Sequence, residues 1–394
     1  MHCETQLDEG LFYIGGSDRR IHLFENVYPL TNGVSYNSYL YLDEKTVLLD
    51  TVDKAVSGVF YDNLEFLLQG RKLDYLIVNH MEPDHAANIG ELLLRYPDVT
   101  VVVNAMSERF LHNFFPHLKC KIQLVKEGDK LCSGKRTFTF VMAPMVHWPE
   151  VMFSYDMTSG TLFSADAFGS YGAIDGGVFA DEHDFENDLK GEARRYYTNI
   201  VGKYGMQTQS ALEKASSLDI EMICPLHSYV WRKNFADIIG CYDKWSTYTP
   251  EKSAVLIVEG SIYGNTANAC EVLASELSAL GVDSVIYDAS VRTESEFIAA
   301  AFRYSHIVVA SPTYNMEIYS PVEHVVDELI RHGLRNRTVA VIENGSWAPQ
   351  SGKLLREKLA SFNVLEDKVC IKSSLNQASY TDLCNLAKAI KASM

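Results

Sequence analysis

The 394-residue chain is short of cysteine pairs, of positive charge and of long apolar runs, and each shortage closes off a class of protein. Its eight cysteines, at 3, 120, 132, 224, 241, 270, 370 and 384, never form a Cys-x-x-Cys pair. That removes zinc-ribbon, rubredoxin and thioredoxin motifs and leaves reduced, mostly buried thiols as the plain reading. Lys and Arg number 35 against 51 Asp and Glu, a formal charge of -16 that disfavours nucleic acid as a partner. No apolar run approaches the roughly 18 residues of a bilayer span. The opening, MHCETQLDEG, has neither the basic nor the apolar region of a signal peptide. A cytoplasmic protein with no membrane partner is expected. With 47% apolar and 22% charged residues the chain is globular, and its length exceeds what one core usually serves, so two domains are expected.

The chain changes character near a polar stretch at 248–251 that contains Pro250, which divides it into expected domains 1–249 and 250–394. In the first part, residues 35–50 read as two short strands around a turn at 43–45. Phe60, Leu64, Leu67 and Leu68 then fall at helical spacing, with Gly70 as the stop. Strands are expected at 75–79, 99–104, 137–142, 151–156, 161–165 and 221–224, with helices from about Phe185. In the second part AVLIVE, DSVIYD, HIVVAS and TVAVIE (254–259, 283–288, 306–311, 338–343) alternate with helical segments, the pattern of a doubly wound parallel sheet. No internal repeat or low-complexity tract is present.

The most informative word is His80-Met81-Glu82-Pro83-Asp84-His85, directly after an apolar strand. His147, Asp166 and His227 each follow a predicted strand too, giving four imidazoles and three carboxylates at sites that loops on one sheet edge can bring together. If Asp166 is shared, each of two metals receives two His and two carboxylates and keeps coordination positions open. Hydrolases on the metallo-β-lactamase sheet have a similar layout but commonly carry His-x-His-x-Asp-His and use zinc. Glu82 stands in place of the second His, and a hard anionic oxygen favours iron or manganese and helps to hold a ferric state, so iron is expected. The other eight histidines, at 2, 22, 112, 117, 183, 306, 324 and 332, read as surface or internally satisfied residues.

In the second part, Ser261-Ile262-Tyr263-Gly264-Asn265-Thr266 follows the first strand and opens a helix near Thr266. Hydroxyls, small residues and free N–H groups there form a nest for a phosphate. The absence of G-x-G-x-x-G disfavours a dinucleotide fold, and the absence of a following Lys removes the P-loop reading. Ser311-Pro312-Thr313-Tyr314-Asn315 and Asn344-Gly345-Ser346-Trp347 follow the third and fourth strands, where aromatic residues can stack on a flavin ring and amides can meet its polar edge. Any one of these loops would pass for an ordinary turn. All three at corresponding strand ends point to FMN.

His-x-Glu-x-Asp-His in a metallo-β-lactamase-like αββα sandwich, followed by a flavodoxin-like doubly wound parallel sheet, resembles the flavodiiron proteins over essentially the whole chain. The resemblance implies an oxidoreductase that reduces O2 to water or NO to N2O at two non-haem irons fed by FMN. It assigns His80, Glu82 and His147 to one iron, Asp84, His85 and His227 to the other, and Asp166 to the bridge. Tyr196 resembles a family tyrosine beside the irons, although Tyr197 is adjacent. The third loop, ENGSWAPQSG, departs from the commoner Gly-Ser-Tyr-Gly-Trp wording. The family also implies a head-to-tail homodimer or a pair of dimers. It implies a separate electron donor as well, rubredoxin first and reduced F420 as the alternative. Two other readings are a dinuclear zinc hydrolase with an appended flavodoxin-like module, and a non-catalytic electron carrier or gas sensor.

Overall fold

The computed structural model describes residues 3–394. It divides into two compact units between Asp243 and Lys244, inside the helix Phe235–Ser246 and a few residues before the boundary expected at 249/250. Among the described residues no helix is long and apolar enough to cross a membrane.

The first unit stacks two sheets. One has seven strands in the spatial order Thr5–Asp8, Leu11–Tyr13, Tyr39–Leu42, Thr46–Leu49, Tyr75–Ile77, Thr100–Val103 and Lys121–Leu124. Its first four strands pair antiparallel and the rest parallel. The other runs Lys130–Cys132, Thr137–Met142, Met152–Asp156, Thr161–Phe163, Met222–Cys224, with only the last pair parallel. Tyr39, Tyr41, Val47, Leu49, Ile77 and Val102 of the first sheet pack against Phe138, Phe140, Met152, Phe163 and Cys224 of the second. The alternate residues Leu40, Leu48, Leu76 and Val101 point the other way along each strand and are buried as well, so the outer face is also covered. This is the αββα sandwich. The helix Ser57–Leu68 stops where expected, with Gln69 (φ 47°) and Gly70 (φ 85°) both left-handed.

The second unit is built on five parallel strands ordered Ser284–Asp288, Lys252–Glu259, Tyr304–Tyr314, Thr338–Asn344, Asn363–Ile371, with the two-residue strand Glu317–Ile318 pairing antiparallel to Tyr304–Tyr314 off this path. In chain order that is 2-1-3-4-5, the flavodoxin-like winding, whose switch point lies between the first and third strands. Helices Asn265–Ala279 and Gln377–Ala392 cover one face through Ala269, Leu273, Leu277, Leu383, Leu386 and Ile390. The fifth strand was not expected from the sequence. It lies at the sheet edge and its middle, Glu366-Asp367-Lys368, is exposed, so its apolar signal is diluted.

Arg337 opens the approach to the fourth strand and is 2% exposed. Among the described residues no carboxylate pairs with it. Instead its guanidinium donates to the carbonyls of Ala301 (2.8 Å), Phe302 (2.7 Å), Tyr248 (2.6 Å), Arg335 (2.9 Å) and Asn336 (3.0 Å). Ala301 and Phe302 end the helix Glu294–Arg303, whose last carbonyls lack helical partners and carry the negative end of its dipole. A buried cation is thus neutralised by backbone oxygens. Arg337→Met strips five carbonyls of their donor and should destabilise the second unit by about 3–5 kcal/mol. Calorimetric unfolding checks this, and an unchanged transition would mean that the carbonyls find other partners.

Candidate functional site

Four segments reach one rim of the sandwich, each just past the carboxyl end of a strand. His80 follows Tyr75–Ile77, and Glu82 precedes the single helical turn Pro83–Ala86 that carries Asp84 and His85. His147 comes after Thr137–Met142, Asp166 after Thr161–Phe163 and His227 after Met222–Cys224. Non-glycine residues beside these positions sit in the left-handed region: Met145 (φ 66°), Ala165 (φ 48°) and Ser228 (φ 65°). Such backbone is costly for L-residues and persists where surrounding packing enforces it. Gly169 permits a close approach, since a Cβ there would lie 3.1 Å from the Asp166 carbonyl and 3.3 Å from the His227 Cβ.

The seven side chains converge. Asp166 is 1% exposed and sits between two sets. Its Oδ2 lies 3.4 Å from His80 Nε2 and 3.1 Å from His147 Nε2, and Glu82 Oε2 lies 3.2 and 2.9 Å from the same two nitrogens. Its Oδ1 lies 3.2 Å from His85 Nε2 and 3.7 Å from His227 Nε2, while Asp84 Oδ2 lies 3.2 and 3.3 Å from that pair. Yet Asp84 Oδ1 and Oδ2, Asp166 Oδ1 and His147 Nε2 are buried without a hydrogen-bond partner among the described residues. Lone pairs therefore face one another at about 3 Å, the separation of neighbouring donors on one metal with bonds of about 2.1 Å. His80, Glu82, His147 and Asp166 could hold one cation, and Asp84, His85 and His227 a second beside the other oxygen of Asp166.

The supports are mostly residues that the sequence did not flag. Glu150, 1% exposed, accepts from His80 Nδ1 (2.8 Å) and from the Met81 N–H (2.9 Å). The Ser35 carbonyl lies 2.7 Å from His227 Nδ1 and accepts its proton. Both contacts leave Nε2 bare toward the cluster. Asp50, in the left-handed region (φ 55°), accepts from the Asn79 N–H and Nδ2 (2.7 Å each) and the His80 N–H (3.2 Å), locking the loop that carries the motif. Burial pushes the Asp50 carboxyl up to about 6, although these hydrogen bonds and His85 oppose the shift. Inside the cluster burial opposes every charge, and mutual attraction overrides it. Asp166 is held well below the carboxylate range by His80 and His85, and Glu82 is held down to about 2 by His147 and His80. His85 is pushed up to about 10, chiefly by Asp84 and Asp166, and His147 to about 9 by Asp166 and Glu82. The pocket demands positive charge.

Tyr196 is fully buried with its ring 5.4 Å from His227, and its hydroxyl has no partner among the described residues. Tyr197 faces elsewhere and packs on Tyr242 at 4.8 Å. A cleft of about 680 Å3 opens onto the cluster past Leu23, Phe24, Glu25, Tyr36 and Trp148. Of the remaining histidines, His306 is buried between Ser305 (2.7 Å) and Ser393 (3.1 Å). His2 lies outside the described residues.

In the second unit a cleft of about 460 Å3 sits at the switch point. Every residue expected in the three loops lines it except Gly264 and Ser311. Gly264 (φ 86°) supplies the turn into the helix Asn265–Ala279. Ser311 is buried behind the cleft, its hydroxyl donating to the Pro312 carbonyl (2.9 Å) and accepting from the Tyr319 N–H (3.1 Å). Met316, Ala348 and Ser373 also line it. Ser373 could not be foreseen without the fifth strand, which delivers it to Asn344. Its N–H donates to Asn344 Oδ1 (3.1 Å) and its carbonyl accepts from Asn344 Nδ2 (3.0 Å). The rim carries Tyr263 and Trp347, about nine-tenths exposed, and the lining includes no Asp, Glu, Lys, Arg or His.

Fold and site together define a metallo-β-lactamase-like domain with a paired His and carboxylate cluster, followed by a flavodoxin-like domain. The model of the ODP family beta lactamase matches residues 34–228. A nitric oxide reductase of Moorella thermoacetica is 29% identical over 369 residues, 92% of this chain and 91% of that one. An anaerobic nitric oxide reductase flavorubredoxin of Vibrio vulnificus is 30% identical over 352 residues, 88% of this chain and 70% of that one. The structure of rubredoxin oxygen:oxidoreductase from Desulfovibrio gigas superposes with a TM-score of 0.92 at 27% identity over 99% of each chain. The flavodiiron protein of Giardia intestinalis shares the fold, with a TM-score of 0.93 at 24% identity over 100% of this chain and 98% of that one. The chain belongs to the flavodiiron family and is an oxidoreductase.

The support for the motif loop is testable without any ligand. Asp50→Ala removes three hydrogen bonds to a buried carboxylate and should lower stability by about 2–4 kcal/mol. The urea midpoint of the first unit reads the effect; a midpoint equal to wild type would show that Asn79 and His80 keep their places without it.

Proposed function

We propose that this chain reduces O2 to water, with NO to N2O as a second reaction, at a non-haem diiron site supplied with electrons through FMN. The observation that carries the reading is Asp166, whose two oxygens each face a separate pair of imidazoles. His80, Glu82 and His147 would hold one iron and Asp84, His85 and His227 the other, with Asp166 shared. Two ferrous ions and a reduced flavin would supply four electrons, which with four protons take O2 to two waters, while two electrons and two protons join two NO molecules as N2O and water.

The chain's own residues do the rest. Glu150 and Ser35 fix the tautomers of His80 and His227, so the Nε2 lone pairs stay directed at the metals. Glu82 supplies a hard oxygen where zinc hydrolases commonly place an imidazole, which favours iron. Tyr196 keeps a proton on its hydroxyl, because burial and the nearby Asp166 raise it well above the usual phenol range, and it offers that proton beside His227 as a hydrogen bond to bound substrate. The rings of Phe24 and Tyr36, 5.5 and 5.7 Å from His227, limit water. In the second unit, N–H groups opening the helix Asn265–Ala279 would bind the FMN phosphate, with Tyr314 and Trp347 beside the ring. A separate donor, rubredoxin or reduced F420, delivers electrons. Following the family, a head-to-tail homodimer or a pair of dimers, located in the cytoplasm, brings one subunit's flavin to the other's irons.

Steady-state consumption of O2 and NO under one donor tests the function. Turnover of both with O2 faster is expected, and equal rates defeat the preference. Protein that is colourless, flavin-free and loaded with zinc alone would return the hydrolase reading, and a reduced diiron protein inert to both gases would return the carrier. For the bridge, Asp166→Ala should lose most of its iron while binding FMN as wild type does. Retention of two irons per chain, by elemental analysis, refutes the shared role.

A further inference from the structure

The second unit gathers another set of metal-ligating side chains on a seam between two helices. His324 and Glu328 lie one turn apart on Ser320–Arg331, a spacing that puts them on one side of the helix, and His332 continues the stripe at its end. Glu294 begins the helix Glu294–Arg303 across the seam. His324 Nε2 lies 2.7 Å from Glu294 Oε2, and donor atoms of Glu294, His324 and Glu328 all fall within 4.8 Å of one another. His332 Nδ1 donates to the Glu328 carbonyl (2.8 Å) and stands 3.7 Å from Glu328 Oε2.

Charge is the second observation. Glu328 is only 8% exposed, yet its carboxylate lies in the last turn of its helix, where the dipole already presents negative charge. Arg331 pairs with its Oε1 but is itself 68% exposed, so that compensation is largely shared with water. Glu294 adds a second carboxylate. Two carboxylates, offset by one largely solvated guanidinium, give this seam negative charge that a dication would balance.

We propose that Glu294, His324 and Glu328 bind one divalent transition-metal ion of the zinc class, clamping the helix Glu294–Arg303 to Ser320–Arg331. The imidazole selects against calcium and magnesium, which prefer all-oxygen sites. Donors on one tetrahedral ion with bonds of about 2.1 Å lie about 3.4 Å apart, so closing the set from within 4.8 Å needs side-chain shifts of about 1–1.5 Å, within reach of rotamer adjustment by the exposed His324 and the half-buried Glu294. The proposal is independent of the reductase reading, because its ligands belong to the other unit and carry no part of that chemistry.

Zinc chloride titrated calorimetrically into the full-length protein, with iron content measured on the same sample, tests it. One equivalent binding at micromolar affinity is expected. His324→Ala, at an exposed position, should fold normally and bind about tenfold or more weakly. Zinc should also raise the unfolding temperature of wild type and not of the variant. Equal zinc affinity in the two proteins, or no uptake by wild type, overturns the site and leaves a plain His and Glu ion pair.

Discussion

Asp166 is a carboxylate withdrawn from water and set between two pairs of imidazoles, and the first unit is arranged around keeping it there. Burying an ionised carboxylate without compensation costs several kcal/mol, and this pocket also buries most of Glu82 and Asp84. Only positive charge nearby makes such a cluster tolerable. The carboxylates push His85 up to about 10 and His147 up to about 9 against the opposing effect of burial, so protons can supply part of that charge where no cation does. Metal ions compete with those protons for the same lone pairs, so cation binding and proton release are linked in this pocket.

The sandwich makes this possible through geometry at the strand ends. Loops from both sheets meet at one rim, so residues 80 and 227 become neighbours without any helix having to carry both. The tie between the sheets runs through Asn79. Its amide and N–H reach Asp50 in the first sheet, its carbonyl accepts from Met152, and its Oδ1 accepts from Ser154 in the second sheet (2.6 Å). One residue before His80, the two layers are thereby pinned together. The left-handed residues beside the ligands belong to the same design, in which local backbone strain is offset by the packed sheets behind it.

How much of this could be read in advance depended on whether the signal was contiguous. Residues 80–85 set four potential ligands, His80, Glu82, Asp84 and His85, directly after an apolar strand, and no solvated loop needs that composition. The second unit's first four strands were visible for the same reason, as apolar runs alternating with helical segments. Glu150, Ser35 and Asp50 were not, because a carboxyl, a backbone carbonyl and a strand-end acid acquire their roles only from what folds against them. The fifth strand, Asn363–Ile371, hid behind an exposed acidic middle, and Ser373 was lost with it. Tyr196 and Tyr197 are indistinguishable as letters. Their opposite directions on one helix separate them, one toward His227 and the other toward Tyr242.

The two clefts solve opposite electrostatic problems. The first concentrates ionisable groups until only cations satisfy them. The second has none in its lining, so an anion held there relies on N–H dipoles and hydroxyls whose positions are fixed from behind. Thr313 accepts from the N–H groups of Gln350 and Ser351 (2.8 and 3.1 Å), and Asn344 reaches Thr266 (3.3 Å), so the three loops hold one another in place. Charge is thus concentrated in the first cleft, where it favours a cation, and absent from the lining of the second, where a ligand meets dipoles and aromatic faces.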